Sequence, residues 1–316
     1  MPDQVASTPK IELPEVEMNT YTPKDPVEVP VVESYLCTAE SSPNIVRHIT
    51  FDVSGTKLEG NLVPGQAFGI LPPGKNKKGK PHKLRLYSMA NSTAGDFGEG
   101  KHISTTVKRV IEEFGDEHKL YTGVASNYLC DLNPGDTVKM TGPSGKRFIL
   151  PKNPTQFNYV FFATGTGIAP FRGMVRELLD KGMENDMVLV FGCPYRTDYL
   201  YPELFESLEK KHSNFRYLKN VSREDRRPDG SKKYVQTSIT DDRDVMAPVL
   251  QKDNTLIYIC GLKGMETGIY QLLAQEGYMD YMKLKDKIKD VDPAEWGWDD
   301  MKKGIKPSDR MFLEVY

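Results

Sequence analysis

From residue 31 to about residue 151, apolar and polar positions alternate in short runs broken by Gly, Pro and Asn. Alternation of this kind predicts strands with one buried face. Six runs fit, at 31–36, 45–53, 67–71, 84–89, 103–110 and 137–141. Six short strands so spaced predict an antiparallel β-barrel. One stretch, 126–132, closed by Pro134-Gly135, predicts a short helix instead. After Pro151 the rhythm changes. Tyr159-Val160-Phe161-Phe162-Ala163 is apolar without a break, as in a strand covered on both faces. Helical patterns at 168–181, 202–211, 241–251 and 264–275 then alternate with strands at 187–191, 215–221 and 255–260. Such alternation predicts a doubly wound parallel sheet.

The expected architecture is therefore two-domain. A six-stranded antiparallel β-barrel fills 31–153, and an α/β doubly wound parallel sheet fills 154–316. Residues 1–30 hold six prolines among scattered acids, which predicts a flexible, extended arm. Residues 277–310 read as an extra helix plus loop. The chain ends on Phe312-Leu313-Glu314-Val315-Tyr316, a strand-like run that stops on an aromatic ring. Chain ends are ordinarily polar and frayed, so this end is expected to be tied into a sheet.

Composition narrows the class. The chain has 316 residues, of which 38% are hydrophobic and 27% charged, and its net charge is −2. These values suit a globular protein and speak against a general polyanion binder. No apolar run approaches the roughly 20 residues that span a bilayer, so no stable membrane insertion is expected. Cys37, Cys130, Cys193 and Cys260 form no CxxC pair, and the five histidines show no ligand spacing. No metal site is expected, and free thiols suit a reducing compartment. No apolar segment follows Met1 as in a signal peptide, and Glu12, Glu15 and Glu17 are unlike a transit peptide. The expected setting is a bacterial cytoplasm, or an organellar stroma for a processed form, and the expected state is a monomer.

Two local features carry chemistry. Thr164-Gly165-Thr166-Gly167 lies between a buried strand and a helix. Glycine there admits close backbone approach, and the helix start offers N–H groups to phosphate. It is neither a GxGxxG fingerprint nor a Walker loop. Lys75, Lys77, Lys78, Lys80 and Lys83 form a run of cations without an acid. The run is short and lacks interleaved aromatics, so a nucleic-acid partner is not expected; an acidic protein would be steered by it.

Seven motifs occur in order from about residue 31 to the end. They are Arg85-Leu86-Tyr87-Ser88, Val107-Lys108-Arg109, 123–131 (Gly-Val-Ala-Ser-Asn-Tyr-Leu-Cys-Asp), 165–172 (Gly-Thr-Gly-Ile-Ala-Pro-Phe-Arg), 221–224 (Val-Ser-Arg-Glu), 258–266 and Glu314-Val315-Tyr316. Together they resemble plant-type ferredoxin–NADP reductase. The resemblance implies an FAD-binding barrel, an NADP-binding sheet domain, and exchange of hydride with NADP(H) and of single electrons with ferredoxin or flavodoxin.

For FAD it implies Arg85, Leu86, Tyr87, Ser88, Thr106, Lys108, Gly123, Val124, Ala125, Ser126 and Tyr316. Tyr87 and Tyr316 would take the two faces of the flavin ring, which gains from aromatic partners. Arg85 and the 125–127 segment would meet the pyrophosphate. For NADP it implies Lys108, Thr166, Gly167, Cys193, Pro194, Ser222, Arg223, Lys232, Tyr234, Gln236, Gly261, Leu262 and Glu266. Ser88, Cys260, Glu314 and Tyr316 would serve catalysis, and the lysine run would receive the carrier. Arg223 and Lys232 favour a 2′-phosphate, whereas nearby Glu224 and Asp225 leave an NAD-type ribose contact open. Many relatives carry an adenine-stacking tyrosine where this chain has Glu112; Phe114 or Tyr121 is the replacement to consider. Two rivals remain at this point: a same-family reductase serving a haem or oxygenase partner, and a nucleotide-binding scaffold without turnover.

Overall fold

The computed structural model describes residues 8–114 and 118–316, without the side chain of Phe114. The six expected N-terminal strands are β1 (Val27–Leu36), β2 (Val46–Asp52), β3 (Ala67–Leu71), β4 (Arg85–Ser88), β5 (His102–Lys108) and, after an intervening hairpin and helix, β8 (Thr137–Ser144). They form one sheet in the order β4-β3-β8-β1-β2-β5, with every pairing antiparallel. Val29, Val31, Ile49, Phe51, Phe68 and Ile70 turn inward and make its core. Alternation along the strands places those residues on one face.

Between β5 and β8 lie β6 (Ile111–Phe114), β7 (Lys119–Thr122) and helix α1 (Val124–Asp131). The β6–β7 hairpin has no counterpart among the sequence expectations. It projects Ile111, Leu120 and Tyr121 outward, all more than half exposed.

The second sheet holds β9 (Asn158–Thr164), β10 (Met187–Cys193), β11 (Phe215–Val221), β12 (Thr255–Gly261) and β15 (Met311–Val315). Its order is β11-β10-β9-β12-β15, and every pairing is parallel. Strand order reverses direction between β9 and β12, so ligands are expected beyond their carboxyl ends. The flanking helices are α2 (Ala169–Asp180), α3 (Pro202–Lys211), α4 (Ser238–Asp241), α5 (Arg243–Leu250) and α6 (Met265–Gln275). They cover both faces with separate apolar clusters, one built on Tyr159, Phe161 and Tyr258, the other on Val160, Phe162 and Ile257.

Two expectations need correction. Residues 277–310 are more than a helix and loop: β13 (Met282–Leu284) and β14 (Ile305–Pro307) form an antiparallel ribbon around α7 (Asp286–Lys289) and α8 (Trp298–Gly304). The arm, in residues 8–30, is extended but not loose. Glu12 O accepts from Lys152 N at 2.8 Å, Glu17 O from the Gln66 amide at 3.2 Å, and Tyr21 pairs with Gly142 in both directions. Ile11 packs on the core of the parallel sheet. Backbone hydrogen bonds hold an arm whose composition alone cannot fill a core. Residues 1–7 lie outside the described residues.

A buried polar chain joins the two sheets. Thr106 Oγ1 and the Tyr201 hydroxyl are 2.5 Å apart, Tyr201 and His48 Nδ1 2.9 Å, and His48 Nε2 and Asp96 Oδ2 3.2 Å. Arg172, from α2, donates to Asp96 at 2.6 Å and to the Ala90 carbonyl at 2.8 Å. Burial pushes His48 below its ordinary pKa, so it is neutral and its contact with Asp96 is a hydrogen bond. Burial alone would raise the Asp96 pKa, but His48 and the Arg172 charge together hold it below the usual carboxylate range.

Candidate active site

The site lies where the carboxyl ends of β9 and β12 face the barrel. Two glycines make this end of the sheet. A Cβ on Gly167 would come within 2.2 Å of the Cys260 carbonyl oxygen, so only glycine lets this turn lie against β12. Gly261 has φ +147°, and a Cβ there would come within 2.1 Å of Thr164 Oγ1, which accepts from Leu262 N–H at 3.0 Å. Thr166, Gly167, Gly261 and Leu262 are thus brought to one place.

The chain terminus reaches the same place. β15 runs beside β12 with Cys260 opposite Glu314 and Gly261 opposite Val315. Tyr316 N–H donates to Gly261 O at 3.1 Å, and Lys263 N–H donates to Tyr316 O at 3.0 Å. Its hydroxyl lies 2.7 Å from Thr166 Oγ1. The last residue is therefore fixed at both ends, although 58% of its surface is exposed. A ring held this way presents a face to solvent or to a flat ligand.

Cys260 is fully buried, and burial, with help from the Glu314 charge, raises its thiol pKa well above the ordinary value. It is therefore a neutral thiol. Burial pushes the Glu314 carboxyl up to about 7, and Glu314 Oε2 is a buried oxygen without a hydrogen-bond partner. An orphaned polar atom in a dry site calls for an explanation such as a ligand or a proton. Glu266, also buried, accepts from Gly264 N–H at 2.7 Å and braces the turn into α6.

On the barrel side, Arg85 and Leu86 stand exposed on β4, with Tyr87 and Ser88 half-buried behind them. Arg85 makes no ion pair among the described residues; it donates to the neighbouring Leu84 carbonyl at 3.1 Å. Ser88 is held through its carbonyl, which accepts from Thr105 at 2.9 Å. Helix α1 starts at Gly123 with no side-chain cap, leaving the first-turn N–H groups of Val124, Ala125 and Ser126 open to an oxyanion. The Ser126 hydroxyl itself is engaged, lying 3.2 Å from both Gly123 O and Val110 N. An uncapped helix start, an unpaired arginine and two partly open tyrosines fit a flat, doubly phosphorylated group such as FAD.

Not every expected residue turns toward this site with its side chain. Thr106 is buried and its hydroxyl is committed to Tyr201. Lys108 is exposed at the end of β5. Tyr121 stands directly across the hairpin from Glu112, on the same face. The side chain of Phe114, the other alternative, lies outside what the structure describes.

The second cluster forms beyond β10 and β11. Cys193 O accepts from Ser222 N–H at 2.9 Å, and Pro194 O from Arg223 N–H at 3.0 Å. Burial pushes the Cys193 thiol up to about 12, so it is neutral. Arg223 is exposed, with its guanidinium carbon 5.2 Å from the centre of the Tyr195 ring. Lys232 and Tyr234 are exposed nearby, with the Lys232 backbone pairing antiparallel with that of Arg226. Gln236 packs against Gly268 of α6. The acids that favour NAD are occupied: Arg196 binds Glu224 at 2.9 Å and also pairs with Asp225. The five lysines of the basic run, 75, 77, 78, 80 and 83, are exposed and make no ion pair among the described residues.

Asp96, His48 and Tyr201 were not foreseen. They lie far apart in sequence, Asp96 within a glycine-rich loop, and no spacing connects them.

Comparisons with known proteins agree with this geometry. Residues 161–271 match the family described as oxidoreductase NAD-binding domain. The chain is 39% identical, over 95% of its length and 80% of the relative's, to the chloroplastic ferredoxin–NADP reductase leaf isozyme 1 of Oryza sativa subsp. indica. It is 37% identical, over 99% of its length and 76% of the relative's, to a ferredoxin–NADP reductase of Picosynechococcus. Ferredoxin–NADP+ reductase from Plasmodium falciparum shares the fold, with a TM-score of 0.69 at 23% identity over 95% of this chain and 99% of that one. With identity this high over nearly the whole length, the chain belongs to the ferredoxin–NADP reductase family of oxidoreductases.

Proposed function

We propose that this chain takes hydride from, or gives it to, NADP(H) through bound FAD and exchanges single electrons with ferredoxin or flavodoxin. Residues 31–153 would hold FAD and 154–316 the dinucleotide. The observation that carries the reading is the mooring of Tyr316 beside Cys260 and Glu314 at the strand ends where nucleotides bind. FAD supplies the conversion between a two-electron donor and one-electron acceptors. Arg85 and the first turn of α1 hold its pyrophosphate, Tyr87 and Tyr316 give its ring aromatic partners, and Ser88 orients it by hydrogen bonding. Thr166, Gly167, Gly261, Leu262 and Glu266 shape the nicotinamide side. Glu314 holds a proton at Oε2 and exchanges it near neutral pH. The buried Cys260 thiol keeps water from the reacting face.

Ser222, Arg223, Lys232 and Tyr234 select the 2′-phosphate, because the competing carboxylates are already paired with Arg196. Arg223→Ala is expected to weaken NADPH by about 1.5–3 kcal/mol and leave NADH nearly unchanged. Flavin bleaching under each nucleotide measures this. Equal losses for both would remove Arg223 from the selectivity site.

The unpaired lysines of 75–83 form the carrier surface. Reversing the charge at Lys75, Lys77 and Lys78 is expected to slow ferredoxin reduction most at low salt while sparing bleaching by NADPH. A rate insensitive to both salt and charge would mark the run as a solvated face.

A further inference from the structure

Residues 277–310 carry none of the site residues named above. Their conformation brings one of them to the terminus. Trp296 is 2% exposed and anchors the segment, and its carbonyl accepts from Gln271 of α6 at 2.7 Å. Two residues later, Trp298 begins α8 with 42% of its surface exposed. Lys263 Nζ lies over its ring, 5.0 Å from the centre. Lys263, Gly264, Thr267 and Trp298 line one open groove of about 600 Å³.

Lys263 is also the residue whose backbone N–H binds the Tyr316 carbonyl. The strap from Gly261 to Lys263 is therefore held on one side by the last residue and on the other by a tryptophan ring. Among the described residues the Lys263 ammonium makes no ion pair, and the Trp298 ring is its contact. Leu262, in the middle of the strap, is 65% exposed. Gly261 is buried and Leu262 N–H donates to Thr164 Oγ1 at 3.0 Å, so the strap is anchored there and its exposed end at Lys263 is the part whose contacts weigh on its position.

We propose that Trp298 and Lys263 form a latch that sets how readily Tyr316 yields its place to the nicotinamide. Both are positioning residues, acting through the strap, and the inference rests on the reading of Tyr316 given above. If Tyr316 must move before nicotinamide can stack, the apparent affinity for NADP+ is reduced by the fraction of molecules in which it is closed. A latch on the strap favours the closed form. It also raises discrimination, because NADH lacks the 2′-phosphate contacts that help drive the displacement.

The test uses the FAD-loaded full chain and compares Tyr316→Ser, Trp298→Ala, Lys263→Met and the Trp298→Ala/Lys263→Met pair. NADP+ is titrated by the flavin difference spectrum, and the NADH-to-NADPH preference is measured by steady-state kinetics. Tyr316→Ser is expected to bind NADP+ more tightly and to gain NADH activity. Trp298→Ala and Lys263→Met should each move both readouts in the same direction by about two- to fivefold, the worth of an exposed cation–π contact. The pair should do no more than either alone, and Trp298→Phe should restore most of the wild-type behaviour. Lys263→Met serves alone if Trp298→Ala does not fold. Unchanged affinity and preference in Lys263→Met, with Tyr316→Ser altered, overturns the latch and leaves the reading of Tyr316 standing. Weaker NADP+ binding in Lys263→Met makes Lys263 a phosphate ligand and also overturns the latch. No change in Tyr316→Ser itself overturns both.

Discussion

On the sheet side of the site, Cys260 is fully buried, Gly167 lies in contact with the strand behind it, and Tyr316 is held by two backbone hydrogen bonds and its hydroxyl. On the barrel side, Arg85 and Leu86 are exposed, α1 has no cap, and the β6–β7 hairpin shows its apolar side chains to solvent. One wall is complete by itself, and the other presents an uncapped helix start and exposed apolar side chains. The wall where hydride passes needs its strand ends fixed before the nucleotide arrives, so that only the Tyr316 ring has to yield. The wall that keeps a resident cofactor can leave part of its order to the cofactor. The Asp96–Arg172 pair is the buried charged link between the two, beside hydrogen bonds from Asn44 to Asp198 and from Thr93 N–H to Glu177.

The sharpest way to break this comparison is to cut that charged link. Arg172→Met leaves the buried Asp96 facing Arg176 at 3.2 Å, His48 and the Ser104 hydroxyl. Removing one partner of a buried ion pair costs about 3–5 kcal/mol. Denaturant unfolding followed by tryptophan fluorescence and by flavin release should then separate into two transitions. Coincident curves with an unchanged midpoint would mean that the Asn44–Asp198 and Thr93–Glu177 hydrogen bonds and the apolar packing through Val46 and Phe148 join the walls without it.

Removing FAD should separate the walls more gently. A ligand at a hundred times its dissociation constant stabilises by about 2.7 kcal/mol. The loss should fall on the barrel side, with faster amide exchange in β4, α1 and the β6–β7 hairpin and little change in β12 and β15. Exchange rising equally on both sides would show that the sheet wall also depends on the cofactor.

The same contrast governs what could be read from the sequence. Helix Pro202–Lys211 and strand Phe215–Val221 match the pattern residue for residue, because a continuous core imposes an unbroken periodicity. The β6–β7 hairpin escaped because Glu112 and Glu113 interrupt any alternation and neither strand faces a core. The β13–β14 ribbon escaped because its strands have three residues each, too few to show a period. The arm looked loose because composition reports side chains, and its docking at Gly142 and Lys152 uses the backbone. Motifs brought Tyr87, Cys260, Glu314 and Tyr316 into view. Only coordinates could show that Arg196 occupies Glu224 and Asp225, or that Asp96 meets Arg172 across the domains.

The smallest effect comes from one proton on the finished wall. Burial raises Glu314 from the ordinary 4.5 to about 7. Between those values the folded chain holds a proton there that the unfolded chain has released. Stability contributed by this group is thus fully present below about 4.5, falls as pH rises through the window, and levels off above about 7. Glu314→Gln cannot ionise, so it should lack this decline. The difference in unfolding free energy between variant and wild type should shift in the variant's favour by about 1–3 kcal/mol from pH 5 to pH 8. Denaturant midpoints of the FAD-loaded proteins at the two pH values measure it. Parallel pH dependences would mean that Glu314 ionises in the folded chain as it does in water. Its buried Oε2 would then have found a partner, and the dry wall would be wetter than its packing implies.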